Sequence, residues 1–158
     1  AFASRRRLAE QVAREVKSPS PTFNCVGPAG VGTGSLAGMR ALHQLSSIAH
    51  IWPFDNPDTV SRPLHLVEIF PSYYFALAGI KPVNGAHGER ENINQALACF
   101  GSDPVSADFQ ANGPDHDEAD ALISAAALRW FSAQSDFWSV PADARAEGWI
   151  FGVKSVTP

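Results

Sequence analysis

The chain has 158 residues, 45% of them hydrophobic, enough for one domain whose core needs no disulfide or metal staple. Its formal charge of −4 argues against simple electrostatic coating of a nucleic acid, and no window is long and uniformly apolar enough for a membrane span. That charge is polarised: residues 1–54 hold six Lys/Arg against two acids, and residues 55–158 hold six against fourteen.

Residues 4–16 place Leu8, Val12 and Val16 at spacings of four among Arg5, Arg6, Arg7 and Arg14, which predicts an amphipathic helix within a leading segment 1–18. The Arg triplet reads as a solvated helix face and receives no functional role. "SPSP" breaks this helix, and "TFNCV" (22–26) has the β-branched and aromatic character of a short buried strand. The chain opens without Met and without a strand-forming leader, so it is expected to be part of a longer product. Cys25 and Cys99 show no CxxC spacing and follow no secretory signal, which points to a reducing cytoplasm.

The glycine-rich loop 27–38 follows, running into a helix whose Leu36, Met39, Leu42, Leu45 and Ile48 are expected to form a stripe. "GPAGVGT" has no Lys, so it is not a phosphate-cradling P-loop. Gly32, Gly34 and Ala37 fit a relaxed GxGxxA, and Asp55 lies 23 residues beyond Gly32, near where a ribose-binding acid would stand. A dinucleotide site is therefore an alternative. The "GPAG" between the strand and the first fingerprint glycine counts against it, since that turn has to be immediate.

Residues 64–70 are a buried-strand candidate stopped by Pro71, followed by a helix over 72–78 capped by Gly79. A further helix is predicted over 86–100 through Ile93, Leu97 and Phe100, then a loop at 101–114, an acid-led helix from 115 to about 133, and a closing strand in "EGWIFGVK". Strands alternating with helices predict an α/β layer fold with partly parallel pairing.

Alternation along 64–70 puts Glu68 on one face with Leu64, Leu66 and Phe70. A carboxylate there requires a partner: a salt bridge to an Arg such as Arg62 or Arg129, or a cation. In "DHDEADALISAAALRW" (115–130), Asp115 and Glu118 suit a capping box, which leaves Asp117 and Asp120 together on one helix face. Either they are a polar helix start curving into solvent, or a divalent ion offsets their repulsion. Hard carboxylate ligands suit Mg²⁺ or Mn²⁺ and phosphodiester chemistry. His116 is a secondary ligand or phosphate contact. His43, His50, His65 and His87 have no HExxH spacing, and no GxSxG elbow accompanies any Ser.

The stretches "GVGTGSLAGMRAL", "IWPFD", "VEIFPSYY", "HDEADALISAAAL" and "EGWIFG" together resemble an uncharacterised predicted-nuclease branch of the ribonuclease H-like superfamily. "VEIFP" and "DEADAL" also resemble the second and final acidic motifs of RuvC-type resolvases. The resemblance implies a ribonuclease H-like mixed sheet flanked by helices, a single domain over 1–158, and metal-dependent hydrolysis of DNA or RNA. It makes Glu68 the mid-sheet acid, Asp117 and Asp120 the closing pair, and Lys81 a phosphate contact. The superfamily's first-strand Asp has no counterpart in residues 1–54. Either the N-terminal strands are lacking or a ligand has been lost, and in both cases the chain alone is expected to be inactive. A non-catalytic binding or scaffold domain of the same fold is the competing class.

Overall fold

The computed structural model describes residues 6–26, 30–55, 61–81, 86–111 and 117–154. Over these the chain is mixed α/β, with five helices and a small parallel sheet. Helix α1 spans Leu8–Ala13, α2 Gly32–Leu45, α3 Pro71–Leu77, α4 Arg90–Cys99 and α5 Asp117–Ser132. Strands β1 (Ala49–Ile51) and β2 (Leu64–Leu66) pair in parallel, with His50 opposite His65.

Three helices follow the expected pattern. In α3, Pro71 takes a first-turn position where its missing N–H costs nothing, and Gly79 at φ +80° follows the helix end. Tyr73, Tyr74 and Phe75 are buried. Helix α4 buries Ile93, Ala96 and Leu97, and Phe100 just beyond it, while Arg129 of α5 donates to the carbonyls of Phe100 and Gly101 that end this helix. Helix α5 buries Ala119, Ile123, Ala126, Ala127 and Phe131, and packs on both α3 and α4.

The N-terminal half differs from expectation. Helix α1 is six residues long and turns Ala9, Glu10 and Ala13 inward, while Val16 is exposed. Residues 22–26 are no strand. The Asn24 N–H donates to the Pro21 carbonyl and the Thr22 N–H to Glu10, so a local turn consumes the donors a ladder would need, and Phe23 and Val26 face solvent.

The apolar series on α2 is likewise not a stripe. At about 100° per residue, positions three apart fall back about 60° each time, so five of them fan around the helix instead of lining one face. Leu36, Met39, Leu45 and Ile48 are all exposed, and the buried residue of α2 is Gly32.

The sheet is smaller than the α/β pattern predicts. Leu64 is exposed and Leu66 only partly covered, so 64–70 is not a buried strand. The closing segment contributes one parallel bridge, Glu68 to Ile150, with the Phe151 N–H donating to the Glu68 carbonyl at 2.9 Å, before Gly152 at φ +85° turns the chain away. The free edge of β1 is capped by an ion pair. Asp55 accepts the Ile51 N–H at 2.9 Å and the Arg62 guanidinium at 2.8 Å, and Arg62 also donates to the Ala49 carbonyl.

Candidate functional site

Glu68 stands where β2 has ended and the bridge to Ile150 begins. Its two oxygens accept a bidentate pair from Arg7, Nη2 to Oε1 at 2.6 Å and Nη1 to Oε2 at 2.7 Å. A planar guanidinium matches a carboxylate in this fork-to-fork geometry, which is among the stronger protein ion pairs. The salt-bridge reading of Glu68 therefore describes the side chain, but with neither expected partner: Arg62 holds Asp55, and Arg129 holds the end of α4. The Arg triplet is not merely a solvated face, because Arg7 is 5% exposed.

The sequence does carry a signal for this arrangement. Arg7 and Glu10 lie three apart at a helix start, and Glu10 accepts the Arg7 backbone N–H at 3.2 Å and its Nε at 3.0 Å. Glu10 also accepts the Thr22 N–H at 2.9 Å and is fully buried. Burial alone would raise its pKa, but the bonds from Thr22 and Arg7 and the Arg7 charge hold it below the usual carboxylate range. Burial alone would lower the proton affinity of Arg7, and the hydrogen bonds and charges of Glu68 and Glu10 reverse that, so the guanidinium stays firmly protonated. The clasp reaches a third segment: Glu147 accepts the Leu8 N–H at 2.9 Å, and its carbonyl accepts from Arg7 at 3.4 Å.

The remaining expected residues lie elsewhere in this scheme. Asp117 is exposed in the first turn of α5, and Asp120 is half-buried, its carbonyl accepting the Ser124 hydroxyl at 2.6 Å. Lys81 is exposed beyond α3, and His116 and Asp115 lie outside the described residues. Among the described residues, no group of three or more His, Cys, Asp or Glu side chains forms a site able to hold a metal ion. Glu68, Asp117 and Asp120 thus do not form a single three-ligand centre in this conformation.

The dinucleotide alternative loses both of its supports. Gly32 and Gly34 belong to α2 itself, with no strand before them among the described residues. The bareness of Gly32 serves the chain's own packing: a Cβ there would meet Cys25 Sγ at 2.6 Å and the Thr22 carbonyl at 2.9 Å, and its N–H is bonded to Asn24. Asp55 is already occupied with Arg62 and the β1 edge.

The segments "VEIFPSYY" and "EGWIFG" and helix α5, which "DEADALISAAAL" opens, are far apart in sequence and pack around Tyr74. Its hydroxyl donates to the Phe151 carbonyl at 2.8 Å, its ring lies 6.0 Å from that of Phe131, and burial pushes its phenol well above the ordinary value. No family model, curated protein or solved structure matches the chain.

Proposed function

We propose that this chain is a domain of the ribonuclease H-like kind, serving divalent-metal-dependent hydrolysis of phosphodiester bonds in DNA or RNA. One observation carries the reading: "VEIFPSYY", "EGWIFG" and the helix opened by "DEADALISAAAL" meet around Tyr74, so that the strand-end acid and the acid-led helix belong to one packed unit. The chemistry of the donors, one carboxylate past the end of β2 and two in the first turn of α5, suits Mg²⁺ or Mn²⁺. Their present arrangement does not fit an ion, since Glu68 is held by Arg7.

That same ion pair favours a second reading, a non-catalytic binding or scaffold domain in which Arg7 permanently stands in for the cation. Exposed free Cys25 and Cys99 support a reducing compartment such as the cytoplasm, and no helix among the described residues is long and apolar enough to cross a membrane.

Melting curves in millimolar Mn²⁺ separate the two. A ligand held only by the folded state stabilises it by mass action, about 2.7 kcal/mol at a hundredfold excess over Kd. The hydrolase reading predicts a larger Mn²⁺-induced rise in Tm for the wild type than for Asp117→Asn or Asp120→Asn. Identical shifts in all three proteins would leave the scaffold reading.

A further inference from the structure

His50 lies in β1 and is 3% exposed, its ring stacked on that of His65, its partner in β2, with 5.0 Å between centroids and 22° between planes. The Arg62 backbone N–H donates to His50 Nε2 at 3.1 Å, so Nε2 carries no proton and the neutral ring holds its proton on Nδ1. Nδ1 is itself buried and has no hydrogen-bond partner. The ring leaves one nitrogen unbonded and uses the other to fix residue 62.

Residue 62 anchors the cap on the free edge of β1. Its guanidinium donates to the Ala49 carbonyl at 3.3 Å and to Asp55 at 2.8 Å, and Asp55 accepts the Ile51 N–H at 2.9 Å. The residues on either side of His50 are thus capped by the group that His50 holds. A second proton on the ring would undo this arrangement. It would go onto Nε2, turning the acceptor into a donor aimed at another donor, and would leave a buried imidazolium whose two N–H groups both lack an acceptor. The charged and titratable groups beside the ring do not offset that charge. Arg62 is a cation, His65 can only add a second positive charge, and Asp55 is already bonded to Arg62 and Ile51. Trp138, which lies against His65, is uncharged.

We propose that neutral His50 is a proton-sensitive latch: it fixes residue 62, and through it the cap on the β1 edge, and acid weakens that cap. The unfolded chain takes up the proton without losing a bond, whereas the folded cap loses one. The latch is therefore complete while the ring is neutral, and it weakens as pH falls through the range in which imidazole gains charge, about pH 8 to 5. Weakening it bares the Ala49 carbonyl and the Ile51 N–H, the edge groups with which another strand can pair. The latch is independent of the hydrolase reading, since it involves none of Glu68, Asp117 and Asp120.

Two NMR measurements on the wild type test it. The ring nitrogen shifts report the tautomer, and near pH 8, where imidazole is neutral, His50 should show a protonated Nδ1 and a bare Nε2. The opposite tautomer refutes the latch. Hydrogen exchange at the Arg62 and Ile51 amides, corrected for the intrinsic rate, should lose about tenfold in protection between about pH 8 and about pH 5.5, roughly the factor that one net hydrogen bond supplies. Equal protection at the two pH values refutes it as well.

His50→Gln is the control, because its side-chain carbonyl can accept the same N–H and does not titrate. The acid-induced loss at these two amides should vanish in His50→Gln and persist in His65→Gln. A loss that survives His50→Gln, or disappears in His65→Gln, places the sensor elsewhere and overturns the proposal. If His50→Gln fails to fold, the wild-type tautomer and exchange decide by themselves.

Discussion

At the scale of single residues, the Arg7 network shows why a carboxylate in a sequence cannot be assigned from its own neighbourhood. Glu68 was legible as an acid in need of a partner, but its partner lies 61 positions earlier in a triplet that looked like solvent-facing charge. The three members of the network should not respond alike to neutralisation. Arg7→Gln leaves Glu10 fully buried and uncompensated, and should cost about 3–5 kcal/mol in urea denaturation. Glu68→Gln, at a partly exposed site, should cost about 1 kcal/mol or less, since Arg7 keeps Glu10. Equal costs would mean that the pair with Glu68 dominates. The sign for pH follows from Glu10, whose folded pKa lies below its unfolded one. Its contribution is complete above the ordinary carboxylate value and is lost as pH falls through the folded value. The wild type should therefore exceed Glu10→Gln in Tm at pH 7, and the gap should close on titration below about pH 4.3, the ordinary Glu value. A gap that widens in acid would contradict the depressed pKa.

At the scale of elements, α3, α4 and α5 were readable because their apolar residues recur on one face and their ends carry ordinary signals, such as Pro71 at the start of α3 and Gly79 after its end. The strands were harder. A three-residue strand leaves only one or two alternations to read, and "TFNCV" has strand-forming residues but donors already claimed by Pro21 and Glu10. The pattern predicts helix α2 but not its buried face, because a strict three-residue spacing rotates around the axis. The consequence is measurable. Leu36→Gln and Met39→Gln, at residues 54% and 56% exposed, should change stability by no more than about 0.5 kcal/mol. Ile93→Ala in α4, where the side chain is fully buried, should cost about 2–5 kcal/mol. Comparable losses at Leu36 would require α2 to be packed against something in solution.

At the scale of the whole molecule, segments from the beginning, middle and end of the chain are tied at two places: Arg7 with Glu68 and Glu147, and Tyr74 with Phe131 and Phe151. Gly152 lies at the second of these, and two separate constraints act on it. Its φ of +85° is disfavoured for any residue with a Cβ, and a Cβ there would fall 2.5 Å and 2.6 Å from the Phe131 ring and 3.2 Å from the Tyr74 ring. Gly79 has a similar φ of +80°, but the nearest atom to its Cβ position is Gln95 Nε2 at 3.9 Å. Gly79→Ala thus isolates backbone strain, about 1–2 kcal/mol, whereas Gly152→Ala adds overpacking of about 1–3 kcal/mol between elements that cannot separate without opening the core. The difference between the two variants in urea denaturation measures how tightly the C-terminal segment is pressed onto α3 and α5. If Gly152→Ala costs no more than Gly79→Ala, that segment is not seated on the two aromatic rings. The proposed hydrolase would then lose the convergence around Tyr74 on which it depends.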